Sequence, residues 1–94
     1  MIGVDFDWRE AREAELLGEL DDAHARMLSG LKSARVDAGL SQEELAERLG
    51  WSVEAVREFE SPHADPHMST VRRYAIGVGA VIRYTVTEVA DDEL

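Results

Sequence analysis

The chain has 94 residues, 45% hydrophobic and 32% charged, which suits one small globular domain and leaves little room for a second. With no Cys there is neither a disulfide framework nor a thiolate metal site, and no apolar run approaches the roughly 18 residues of a membrane span. Ten Lys and Arg against 20 Asp and Glu give a net charge of −10, spread unevenly: residues 31–80 carry 6 basic and 8 acidic side chains, so any contact with a polyanion belongs there. The acidic opening from Met1 to Asp7 lacks the basic and apolar regions of a secretory leader, and an intracellular, cytoplasmic protein is expected. So small a core points to oligomerisation as a further source of stability.

Asp5 or Asp7 is suited to cap a short acidic helix beginning at Trp8. From Leu20 to Ala34 the apolar residues Leu20, Ala23, Met27, Leu28, Leu31 and Ala34 fall at helical spacing, and Gly39 marks the stop. Gly18 and Gly30 weaken any single long helix, so a break near Asp21 and Asp22 is expected. Ser41 with Glu44 three places later makes a capping box, opening a helix whose Leu45, Ala46 and Leu49 share one face. Gly50 ends it after about two turns. Ser52 then caps a helix running to about Glu60, with Glu54 in its first turn. Pro62 and Pro66 make the next stretch a loop, and Ser69 is expected to cap a fourth helix from Thr70 to about Val78, closed by Gly79.

Beyond Gly79 the period changes from 3.6 to 2. Ile82, Tyr84 and Val86 share one face of an expected strand over residues 80–89, followed by an acidic tail over 90–94. An apolar strand must pair its backbone groups. Its partner is either the short Ile2, Val4, Phe6 alternation or the same strand of a second subunit, and the second is better matched in length. A homodimer follows from that match.

The stretch from Gln42 to Glu60 therefore holds two short helices joined by a glycine turn, a helix-turn-helix. Ala46 is small where the helices cross, and Val56 and Phe59 seat the second helix on the first. Here the chain resembles the phage-repressor (Cro-like, XRE) helix-turn-helix family. The resemblance rests on Arg35, the run from Gly39 to Gly50, and Ser52, Val56, Phe59 and Glu60. The Ser69 to Ala75 run, with the glycine and strand beyond it, resembles the subset of HigA-type antitoxins and small regulators in which the strand builds the dimer. The fold implied is mainly α: a lambda-repressor-like bundle of four to five helices with one C-terminal β-strand pairing across a dimer. The helix-turn-helix domain spans residues 25–79, behind an acidic arm or helix over 1–24.

In that family the second motif helix enters the major groove. At 100° per residue, with Val56 and Phe59 inward, Glu54 points away from the core, Arg57 and Glu58 flank it, and Val53 and Ala55 lie at the margins. Arg57 suits guanine, Glu54 the cytosine amino group, and Val53 or Ala55 a thymine methyl. Ser41, Gln42 and Ser52, with Lys32, Thr70, Arg72 and Arg73, are the expected phosphate-side contacts. The expected partners are operator DNA and a second copy of the chain. Two acids against one base is an unusual outer face for a groove reader. The same motif serving a protein partner, as in an antitoxin, is the alternative.

Other features read more plainly. Arg35 and Glu60 are implied by the resemblance to form a partly buried structural ion pair. His63 and His67 flank Asp65 in a loop without a third strong ligand, so no metal is expected, and His24 reads as an isolated surface residue. Trp51 reads as a core plug. Gly77 and Gly79 lack the strand-loop-helix context of a phosphate loop. No enzyme activity and no cofactor are expected. The acidic arm, with Trp8, Leu16, Leu17 and Leu20, is either a docking segment for a basic protein such as a toxin or a helix packing its leucines on the dimer.

Overall fold

Asp7 opens the first helix: its carboxylate accepts from the backbone N–H of Arg9 at 2.9 Å and of Glu10 at 3.4 Å. The computed structural model describes residues 7–89, so Asp5, the Ile2, Val4, Phe6 alternation and the tail over 90–94 lie outside the described residues. Helix α1 runs unbroken over Trp8–Asp37, 30 residues and about 45 Å at 1.5 Å each. The expected break at Asp21 and Asp22 does not occur. Gly18 and Gly30 each cost about 1 kcal/mol against Ala, but Glu, Ala, Leu and Arg fill most neighbouring positions, no Pro intervenes, and solvent surrounds both glycines. What was divided in the sequence into an arm and a helix is one rod.

Among the described residues three further helices follow: α2 over Gln42–Leu49, α3 over Val53–Phe59 and α4 over Met68–Val78. Ser41 Oγ accepts from Glu44 N while Glu44 Oε1 accepts from Ser41 N, both at 3.0 Å, so the capping box forms. Gly50 lies at φ 69°, the left-handed geometry that carries the chain from α2 into α3, and Trp51 N bonds back to Ala46 O at 2.9 Å. Ser52 Oγ then accepts from Ala55 N at 3.1 Å. The fourth helix starts earlier than expected: His67, not Ser69, is its N-cap, and without a side-chain cap bond. The loop is shorter by that much, and His67 leads into the helix from extended geometry at φ −63° and ψ 151°.

The core is a single cluster in which Leu45, Val56, Val71 and Tyr74 are fully buried. Leu31 of α1, Leu40, Phe59, Ala75 and Val78 surround them, with Met27, Leu28, Ala34, Trp51, Val53, Ala80 and Ile82 packed on the outside. Only the last third of α1 contributes to this cluster, while Leu17 and Leu20 remain exposed on the part that projects beyond it. Helix α4 approaches α2 closely at Gly77, where an added Cβ would lie 2.7 Å from Leu49 Cδ2 and 2.8 Å from Leu45 Cδ1.

Among the described residues there is no strand. Residues 81–89 leave α4 as irregular chain; Ile82 packs on the body, whereas Tyr84 and Val86 are 59% and 96% exposed. A ladder needs a second strand, and none forms among the described residues. At its end this segment meets α1, where Arg12 Nη2 donates to Val89 O at 3.3 Å. No helix among the described residues is long and apolar enough to cross a membrane.

Candidate nucleic-acid interface

Glu60, directly after α3, is the anchor of the site. Arg35 from α1 grips it with two parallel bonds, Nε to Oε2 at 2.7 Å and Nη2 to Oε1 at 2.9 Å, while Nη1 donates to Leu40 O at 2.8 Å. Tyr74 OH donates to Oε2 at 2.6 Å and Gln42 Nε2 to Oε1 at 3.1 Å. All four helices or their caps thus meet on one carboxylate. Arg35 and Glu60 side chains are 10% and 3% exposed, so the pair is shielded, and its oxygens are fully engaged. Tyr74 also stacks on Phe59, with ring centroids 4.2 Å apart and planes within 7°, and Trp51 tilts against Phe59 at 6.2 Å. This network sets the orientation of α3.

Burial alone would push the Glu60 carboxyl up, but hydrogen bonds from Arg35, Tyr74 and Gln42 outweigh it and hold the group below the usual carboxylate range. Burial, reinforced by the bond to Glu60, pushes the Tyr74 hydroxyl upward. The two shifts act at opposite ends of the pH scale. A carboxyl depressed in the fold stabilises above its unfolded value near 4.5 and loses that contribution as pH falls through the folded value. A phenol raised in the fold stabilises below its unfolded value of 10.0 and loses its contribution as pH climbs beyond. Urea midpoints measured across pH should therefore show a plateau bounded by an acid limb below about 4.5 and an alkaline limb above about 10. Tyr74→Phe should remove most of the alkaline limb; an unchanged limb would show that the hydroxyl does not link stability to pH.

On the outer surface Glu54, Ala55, Arg57 and Glu58 of α3 are exposed, as is Ser52. Val53 is half-buried against the core. Arg57 does not pair with its own helix. Its Nη2 crosses the turn to Glu43 Oε1 in the first turn of α2, at 3.1 Å. A cleft of about 650 Å³ beside α3 collects Ala55, Glu58, Thr70 and Arg73 over Trp51 and Phe59, so Thr70 and Arg73 of α4 lie next to the outer face of α3. Arg73 also donates to Leu49 O at 3.1 Å, tying α4 to the end of α2. Arg72 is exposed. Lys32 sits on α1 at a smaller groove of about 220 Å³ shared with Ser61 and Pro62. Gln42 is half-buried, its amide engaged with Glu60, whereas Ser41 spends its hydroxyl on the cap.

Three contributors were not singled out from the sequence. Glu43 has no local signal, because its partner lies fourteen residues away across a turn. Arg48 donates to Gly77 O at 3.3 Å and is equally silent. Tyr74 was legible in principle: a tyrosine at core spacing between Val71 and Val78 must find a partner for its hydroxyl. His24 is not a plain surface residue: its Nε2 is buried without a hydrogen-bond partner and lies 3.9 Å from Oδ1 of Asp65 in the α3–α4 loop.

Two short helices crossing through a left-handed glycine, with the second held against the body and its outer face bare, define a helix-turn-helix protein. The family model described as Helix-turn-helix matches residues 31–79, and the chain belongs to that family, in its phage-repressor (XRE) branch. Among curated proteins it is similar to Antitoxin HigA1 from two strains of Mycobacterium tuberculosis, CDC 1551 / Oshkosh and ATCC 25618 / H37Rv, at 36% identity over 75 residues in each case. The match takes in 78% of this chain and 50% of the relative, so the chain spans about half the length of the curated relatives it matches. No solved structure matches it at comparable significance.

Proposed function

We propose that this protein is a sequence-specific DNA-binding transcriptional regulator, a repressor or autoregulator, that acts as a homodimer on a short inverted repeat. The observation that carries the reading is the outward face of α3, where Glu54, Ala55, Arg57 and Glu58 are exposed and unobstructed by the chain's own body. In this reading Arg57 bonds guanine, Glu54 accepts from a cytosine amino group and Ala55 touches a thymine methyl. Ser41, Ser52, Thr70, Arg72 and Arg73 face phosphates, with Lys32 at the periphery. Residues 80–89 pair as strands across the two-fold axis, which covers Tyr84 and Val86 and brings two recognition helices to major grooves about 34 Å apart. So few basic groups imply a shallow salt dependence, each neutralised phosphate contributing about 0.9 to the slope.

A mobility shift against the DNA upstream of the chain's own coding region tests this at about 50 mM salt, where electrostatic attraction is strongest. Binding is expected, and Arg57→Ala should relax the preference at one base pair by about 1–3 kcal/mol. No shift at that salt overturns the DNA-binding reading in favour of a protein partner, and an unaltered preference in the variant removes Arg57 from the reading face.

A second reading is favoured by the similarity to Antitoxin HigA1 and by the acidic projecting part of α1: the main partner is then a basic protein such as a toxin, and the helix-turn-helix serves as scaffold or autoregulator. The two readings are compatible, since they use opposite ends of the molecule.

A further inference from the structure

The pairing of Arg57 with Glu43 carries a consequence beyond the assignment of Arg57 as a reader, on which it rests. Arg57 is the single basic side chain of α3, and it has acidic neighbours at Glu54, one turn earlier on the same helix, and at Glu58 next to it. It bonds to neither in the structure; the guanidinium leans across to α2 and gives one N–H of Nη2 to Glu43 Oε1 at 3.1 Å. Guanidinium carries five N–H donors in a rigid plane, so one bond leaves four, enough for a two-bond contact to guanine. A long exposed side chain otherwise loses rotamer freedom on docking and can turn equally well toward a phosphate, which carries no sequence information.

We infer that Glu43 is the positioning residue for Arg57: it fixes the plane of the guanidinium so that the free edge meets base edges and not the backbone. Its cost is one more acidic group at the duplex, and this gives the role a signature that simple charge repulsion lacks. Removing Glu43 raises affinity for a non-preferred duplex, because a repulsive charge is gone, yet lowers discrimination among sequences, because Arg57 is released. Repulsion alone would raise both affinities together and leave their ratio untouched.

The test selects the preferred duplex from a random-sequence pool with the native chain, then measures its affinity and that of a scrambled duplex. Glu43→Ala should bind the scrambled duplex more tightly than the native chain does, while the ratio of preferred to scrambled affinity falls by about tenfold. Glu43→Gln, which retains a side-chain carbonyl acceptor, should keep most of the ratio. In an Arg57→Ala background Glu43→Ala should leave the ratio where it stands. The substitution leaves the Ser41–Glu44 capping box intact, so folding is preserved. A ratio held within twofold of native by Glu43→Ala, or an equal fall with and without Arg57, overturns the positioning role alone. A native chain that enriches no sequence from the pool overturns both this role and the DNA-reading assignment.

Discussion

Replacing Arg35 with Ala should lower the free energy of unfolding by about 3–5 kcal/mol, measured by urea denaturation followed by far-UV circular dichroism at fixed protein concentration. The variant leaves the Glu60 carboxylate enclosed with two of its four bonds gone, and leaves Leu40 O without the donor that reaches it from α1. A shielded charge without its counter-ion is far more costly than the intact pair is favourable. The helix that suffers first is α3, because Glu60 is its cap and Arg35 the link from that cap to α1. Replacing both partners together, Arg35→Met with Glu60→Leu, should therefore cost less than Arg35→Ala alone, since no orphaned charge remains. A loss below about 1 kcal/mol for Arg35→Ala would be the behaviour of an exposed pair and would contradict the burial seen here.

The second large effect lies where α2 and α4 touch. Leu45 is fully buried, and its Cδ1 occupies the space a side chain at position 77 would need. Leu45→Ala should cost about 2–5 kcal/mol through lost burial and the cavity left behind. Gly77→Ala gains about 1 kcal/mol of helix propensity but forces contacts of 2.7 and 2.8 Å onto Leu49 and Leu45. Overpacking of that kind typically costs about 1–3 kcal/mol, so a net loss is expected. Combined, the two changes should be less harmful than their sum by at least about 0.5 kcal/mol, because the new methyl occupies part of the space vacated by Leu45. Strict additivity would show that α4 simply slides away from α2 and that the close approach is not enforced.

The parts of the molecule that were readable from sequence are those whose physics is local. Ser41 with Glu44, and Gly50 after Leu49, declare helix ends within four residues, and the structure forms each as read. Val56 and Phe59 declare an inward face, and they are buried. The continuity of α1 is less local, because the summed helix propensity around Gly18 and Gly30 outweighs the cost of the two glycines. The start of α4 differs from the capping propensity of Ser69, because the helix opens at His67 in extended geometry with no side-chain cap bond. The pairings of Arg57 with Glu43 and of Arg48 with Gly77 join residues on different helices, and only the folded arrangement brings them together. Residues 81–89 have a strand's alternation yet form no strand in one chain, since what would complete a ladder is not encoded as a second segment among the described residues.

One rod carries both the bare leucines and the guanidinium that clamps α3. Leu17 and Arg35 stand about 27 Å apart on it, with no hinge between them. Whatever grips the projecting end holds the handle of a lever whose short arm is the Glu60 clamp at the end of α3.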